Sequence, residues 1–260
     1  MQPSLYIPHG GGPCFFMDDP QGIWTGMAAF LRAYPKDLPA RPKAVIVVSA
    51  HWETKGFAFG AAARPSMIYD YSGFPPHTYQ LTYPIDGAPA LAARAAEVLK
   101  SSGLDAAIDD ARGIDHGLFI PMLLSFPDAD IPMLEMSVEK SFDPQLHLDA
   151  GKALAPLRRE GVLIVGSGMS FHNMRGYGDP RFTAPSEEFD RWLTAAAESD
   201  ADKRAALLAS WSEAPAARLS HPREEHLLPL MVAAGASSSK GKRIYSERVM
   251  QTAISAFRFD

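Results

Sequence analysis

Cysteine is almost missing from this 260-residue chain: Cys14 is the only one. No intrachain disulfide framework and no cysteine-built zinc finger can form from it, so a bound metal must be met by histidine and carboxylate. Long apolar runs are missing too. None approaches the roughly 18 residues of a membrane span, and no charged-then-apolar leader pattern opens the chain, so a cytoplasmic protein without membrane contact is expected. Positive charge is not in excess: 25 Lys and Arg stand against 30 Asp and Glu, a net charge of −5, which leaves no electrostatic footprint for nucleic acid. Internal repeats, low-complexity tracts and linkers are lacking as well, and residues 1–260 are expected to form a single domain with room for a substantial core.

Several motifs are also absent. Neither GxxxxGK[ST] nor GxGxxG is present, so the glycines of His9-Gly10-Gly11-Gly12-Pro13 are weak support for a nucleotide site. HExxH is absent, which excludes the helical zinc-protease arrangement. A serine hydrolase would need GxSxG, but Gly166-Ser167-Gly168-Met169-Ser170 puts glycine at the centre, and the spacing from Ser167 or Ser170 to His172 does not match a nucleophile elbow.

What is present is organised around Ala44–Thr54, AVIVVSAHWET. Its continuous apolar start, with Val45, Ile46 and Val47, predicts a strand buried on both faces, and His51 follows at the carboxyl end, where open α/β sheets bind ligands. Val162–Val165 repeats the arrangement, leading through GSGMSFHN to His172, so two strands deliver a histidine to one edge. Leu5–Pro8, Phe57–Ala61, Ile131–Val138 and an edge strand within Arg243–Phe259 complete the predicted sheet. Helical spacing marks residues 21–34, 88–100, 144–160 (with Gly161 as cap), 186–219 interrupted by Pro215, and the stretch HPREEHLLPLMVAAGA. In that last helix Glu224, Glu225 and His226 are expected in the first turn. Residues 69–84 are an aromatic, proline-rich loop suited to a pocket wall. The expected fold is a three-layer α/β/α domain around a central, mostly buried mixed sheet.

Five of the eight histidines, His9, His51, His116, His172 and His226, sit beside glycine, at a strand end or in a helix's first turn. Each alone reads as an ordinary hydrogen-bonded histidine; five together point to metal or acid–base chemistry, since imidazole suits iron and zinc. His77 reads as exposed, His147 as structural and His221 as a cap or a solvated surface residue. Cys14 reads as a small buried filler. Trp52, Tyr69, Tyr71, Phe74, Tyr79 and Tyr83 serve equally as packing or as walls for a flat ring.

IPHGGGP, VVSAHWET, the aromatic loop running into YPIDGAPALA, IDHGLFIPM, PDADIPMLEMSV, GSGMSFHNMR and HPREEHLLPL together resemble the class III extradiol ring-cleavage dioxygenases. Within them the chain is most similar to the single-domain branch that includes 4,5-dihydroxyphenylalanine extradiol dioxygenases. The resemblance covers about Leu5 to Ala236. It implies a single catalytic domain that opens a catechol ring with O₂ to give a semialdehyde, using one divalent metal ion, Fe(II) or Zn(II). It implies His9, His51 and His226 as metal ligands, with Glu225 as rival third ligand. His172 is implied as the acid–base histidine and candidate fourth ligand, and His116 as a contact to substrate or oxygen. No separate cofactor-binding residues are implied. The partners are a small catechol and O₂, and a homo-oligomer is left open. Same-fold metal binding without oxygenase activity, and metal-dependent hydrolysis, are the alternatives.

Overall fold

A computed structural model describes residues 1–260. Eight strands form one sheet: β1 (Ser4–Pro8), β2 (Ala44–Thr54), β3 (Phe57–Gly60), β4 (Ala106–Asp109), β5 (Met133–Glu139), β6 (Val162–Gly168), β7 (Gly241–Val249) and β8 (Thr252–Phe259). Their order is β4-β3-β5-β2-β6-β1-β8-β7. The centre, β5-β2-β6-β1, is parallel, while β3 meets β5 and β8 meets β1 antiparallel. The sheet is therefore mixed, and the expected three layers are present.

Alternation along the central strands decides which helix packs where. Val45, Val47, Leu163, Val165, Leu5 and Ile7 face one apolar core, together with Met27 and Leu31 of α1 (Thr25–Ala33) and Leu118, Phe119 and Met122 of α3 (His116–Ser125). Ile46, Val48, Ile164 and Tyr6 face the other. That second core takes up α2 (Pro89–Ser101), α4 (Pro144–Leu154), α5 (Thr183–Ala197), α6 (Ala201–Ala209) and α8 (Leu228–Gly235), with the short α7 (Ala217–Ser220) at its margin. Both faces being covered explains why these strands read as unbroken apolar runs.

Several elements differ from the sequence reading. The single predicted edge strand is a β7–β8 hairpin, and β8 lies inside the sheet against β1. The predicted helix over 144–160 is α4 followed by a 3₁₀ turn over 155–160, ending at Gly161 in the left-handed conformation as expected of the cap. The stretch 186–219 is divided into α5, α6 and α7, with breaks before Asp200 as well as near Pro215. HPREEH precedes its helix instead of opening it: α8 starts at Leu228, and Glu224 and His226 lie in a turn closed by Leu227 N–H to the Glu224 carbonyl (2.8 Å).

Two buried arginines fix the far end of α8. Arg204 donates to the carbonyls of Ala234 (3.0 Å) and Ser237, and Arg158 to those of Ala236 (2.5 Å) and Phe259 (3.1 Å). Cations on the last carbonyls of a helix complement its dipole and occupy groups that have no partner within the helix. Because α8 is held at this end, the turn at its other end is held too.

His147 and His221 are fully buried. His147 accepts from Glu139 N–H (3.0 Å) and donates to the Asp143 carbonyl (2.7 Å), the structural role expected. His221 is no surface residue: its ring packs against Phe189 and Trp211, and Nε2 meets the Ser170 carbonyl at 2.9 Å. Burial, first among the causes, lowers His147 to about 4 and His221 to about 3. The unfolded chain, with histidines near about 6.5, then binds more protons than the folded one below that pH. Stability is therefore full above about pH 6.5 and falls as pH drops toward 4. Urea titrations of the metal-free protein at stepped pH are expected to show this loss, and a smaller one in His147→Gln. Equal slopes in the two proteins would remove His147 from the account.

Candidate active site

The parallel strands β1, β6 and β2 lie side by side, and their carboxyl ends carry the site. His9 follows β1 directly. His51 lies where the pairing of β2 with β5 shifts register between Ser49 and Glu53, a bulge of the kind that re-aims a side chain. β6 runs between them and ends at Gly168. A Cβ there would stand 2.1 Å from the His226 carbonyl, so only glycine lets His226 lie across the end of β6. That carbonyl also accepts from Tyr6 Oη (2.7 Å) and Met169 N–H (3.2 Å), which fixes the backbone of His226. Gly10 has φ of 79°, the left-handed turn that folds the glycine stretch away behind His9.

One ring nitrogen each from His9, His51 and His226 lies within 4.8 Å of the other two. His9 Nδ1 donates to the Gly10 carbonyl (2.8 Å) and His226 Nδ1 to Glu225 Oε1 (3.0 Å), so in both rings Nε2 carries the lone pair. His226 Nε2 is buried without a hydrogen-bond partner. His9 Nε2 and His51 Nε2 are 3.3 Å apart. Imidazole nitrogens roughly 2.0–2.1 Å from one tetrahedral ion stand about 3.3 Å from each other, so the spacing suits a shared metal. Burial, reinforced by the neighbouring imidazoles, holds all three rings well below the usual histidine range. They are neutral at pH 7, which is the ligating form.

His172, His226 and Glu225 form a second group beside the first. The His172 and His226 rings stack with centroids 3.3 Å apart and an angle of 15°. Glu225 Oε1 faces both Nδ1 atoms, 3.3 Å from that of His172 and 3.0 Å from that of His226. Burial alone would raise the Glu225 carboxyl; the hydrogen bond from His172 and nearby positive charge outweigh it and hold the group below its ordinary value. His116 opens α3, its ring 3.9 Å from that of His51 and 5.3 Å from that of His9. All five histidines singled out in the sequence thus converge, whereas His77 is exposed and reaches the Phe16 carbonyl instead (2.9 Å).

Residues 4–258 match the family described as the catalytic LigB subunit of aromatic ring-opening dioxygenase. The chain belongs to this family. Among its relatives, dioxygenase tasH of Hapsidospora irregularis is 40% identical over 96% of this chain and 83% of that protein. The 4,5-DOPA dioxygenase extradiol of Portulaca grandiflora is 39% identical, covering 92% of this chain and 88% of its own. A crystal structure of an uncharacterized Escherichia coli K12 protein superposes with a TM-score of 0.80 at 27% identity, over 100% of both chains. As a LigB-family member, the chain is an extradiol, ring-cleaving dioxygenase of a catechol-type ring that uses O₂ and a catalytic metal. No helix is long and apolar enough to cross a membrane.

Other residues at the site carry little signal in the sequence. Asp70 accepts from His116 Nδ1 (2.8 Å) and lies 3.6 Å from His51 Nδ1. Beneath the site is a buried charge network: Arg112 donates to Asp115 (2.6 Å) and Glu135 (3.1 Å), Ser49 Oγ donates to Asp115 (2.7 Å), and His51 N–H donates to Ser49 Oγ (3.2 Å). Glu135 could have been suspected, because a lone carboxylate inside the apolar run PMLEMSV must find a partner when buried. Trp52, with Arg112 stacked over it at 4.7 Å, and Tyr83, donating to the Phe126 carbonyl (2.9 Å), are packing residues and not pocket walls. Tyr71 lies beside the site, its ring 5.7 Å from that of His116. Ser167 and Ser170 are buried, Ser167 donating to the Gly117 carbonyl (2.5 Å) and Ser170 accepting from Ser255 N–H (2.8 Å), so neither is free as a nucleophile. Cys14 is buried, and burial pushes its thiol up, as suits a filler.

Proposed function

We propose that the whole chain is one catalytic domain in which His9, His51 and His226 hold a single ferrous ion. The observation that carries this reading is the convergence of three neutral imidazoles, two buried and that of His51 half-buried, with the Nε2 of His226 unpartnered. When bound, the metal supplies Lewis acidity that lowers the pKa of a catechol hydroxyl and, being redox-active, the electron exchange that O₂ requires. Zinc suits the same imidazoles but has no redox chemistry. Neither Glu225 nor His172 belongs to the His9–His51–His226 group, which favours His226 as third ligand and leaves His172 for proton transfer. His172, oriented through Nδ1 by Glu225, takes a hydroxyl proton and returns one later. His116 contacts substrate or oxygen, and Tyr71 and Phe74 flank a flat ring.

The names of the plant relatives support a catechol bearing a side chain, of the 3,4-dihydroxyphenyl type, as substrate. The carbon–carbon bond beside the diol breaks, the ring carbons are oxidised, and O₂ is reduced and retained in the product. The reaction needs no nucleic acid or membrane and fits a cytoplasmic protein. An oxygen electrode with the iron-loaded protein and a catechol panel tests the reading. One O₂ consumed per side-chain catechol is expected. Bound catechol with no oxygen uptake would favour metal binding without oxygenase activity.

A further inference from the structure

Asp70 belongs to the aromatic loop, yet its carboxylate engages two histidines that come from elements remote in sequence. Oδ1 accepts from both the backbone N–H (3.1 Å) and Nδ1 (2.8 Å) of His116, and Oδ2 lies 3.6 Å from Nδ1 of His51. The carboxylate is 22% exposed, shielded but not sealed. Its position is set by backbone pairing immediately before it. Ile68 N–H donates to the Ile114 carbonyl and Ile114 N–H to the Ser66 carbonyl, both at 2.8 Å, which brings 66–68 alongside the residue that precedes Asp115-His116. On either side of it, Tyr69 and Tyr71 donate to loop carbonyls (Leu81, 2.6 Å; Thr78, 2.7 Å) and pack on Phe119 of α3. The loop is thereby fastened to the helix that starts at His116.

We infer that Asp70 is a positioning residue: its carboxylate fixes the Nδ1–H tautomer of His116 by a hydrogen bond and, 3.6 Å from Nδ1 of His51, favours the same tautomer there by its negative charge, and so aims both Nε2 atoms into the site. A histidine whose ring can flip or exchange tautomers meets a metal or substrate only part of the time, and outer-shell carboxylates prevent this. The aromatic loop is then part of the metal site through Asp70, and not only a wall of the pocket. The inference rests on the ligand assignment proposed above for His51.

The test uses Asp70→Ala, Asp70→Asn and His51→Ala. For each, Zn(II) is titrated into the chelator-stripped protein by calorimetry, the urea midpoint is measured without metal, and kcat and KM are measured with iron. Asp70→Ala is expected to weaken Zn(II) binding by about 10–100-fold and to lower kcat. Asp70→Asn, which keeps one acceptor oxygen for His116 but loses the second for His51, should restore much of kcat and little of the metal affinity. The urea midpoint of Asp70→Asn should match wild type, which a merely structural role for Asp70 would not allow alongside weaker Zn(II) binding. Wild-type Zn(II) affinity in both Asp70 variants would overturn the inference. If His51→Ala also kept wild-type affinity, the ligand assignment itself would fail; if only His51→Ala lost metal, Asp70 alone would be dismissed.

Discussion

Replacing His172 with alanine or glutamine is expected to leave metal and catechol bound and to slow ring opening by about 10²–10⁴-fold, the usual contribution of a positioned general acid or base. The reason lies in how the side chain is held. His172 stands four residues past β6, its backbone N–H bonded to the Ser220 carbonyl at 2.9 Å, so its location does not depend on a metal. Its Nδ1 faces Glu225, while the group of convergent lone pairs is made by His9, His51 and His226 without it. Removing the ring leaves His226 still bonded to Glu225 through its own Nδ1 (3.0 Å), so this proposed ligand keeps its support. Metal content, catechol binding and single-turnover rates on both variants check this. Lost metal would make His172 a ligand, and near-normal turnover would remove it from the mechanism.

Larger still is the effect expected at the three proposed ligands. His9→Ala, His51→Ala and His226→Ala should each lose metal and activity together, well beyond the roughly 10–100-fold that loss of an outer-shell partner costs. Glu225→Ala belongs to the milder class: it should retain metal at saturating iron while affinity drops within that range. The sequence suggests that only one of Glu225 and His226 can face the metal, as neighbours in a helical turn. The geometry is different, because both lie before α8 and the carboxylate backs the imidazole rather than turning away from it. Metal analysis after reconstitution distinguishes the two. Metal lost from Glu225→Ala but kept by His226→Ala would reverse the assignment.

The framework of the site is legible because strands buried on both faces announce themselves as apolar runs, and the residues in or just past their carboxyl-terminal ends are fixed by that register. His9, His51 and His172 follow from β1, β2 and β6 in this way. The β7–β8 hairpin was not legible because its turn is Met250-Gln251, with φ of 45° and 69°, where a tight hairpin normally advertises Asn or Gly. β4 is four residues long with exposed Ala107 and Ile108, too short and too mixed to stand out. The late start of α8 was hidden because no Ser, Thr, Asp or Asn caps it; Leu227 occupies that position without a side-chain bond. Asp70 could not be foreseen, because its importance comes from a partner 46 residues away across an irregular loop. The burial of His221 is hidden for a similar reason: Phe189, Trp211 and Ser170, which pack around it, are distant in sequence.

Both atoms of one O₂ are expected to enter the catechol at a metal held by the proposed ligands His9, His51 and His226. Mass spectrometry of the product formed by the iron-loaded protein under ¹⁸O₂ addresses this most directly. A ring-opened product with the mass of the catechol plus both atoms of a single O₂ is expected, and none from His226→Ala. A product that carries oxygen from water alone, or a labelled product made equally well by His226→Ala, would contradict this.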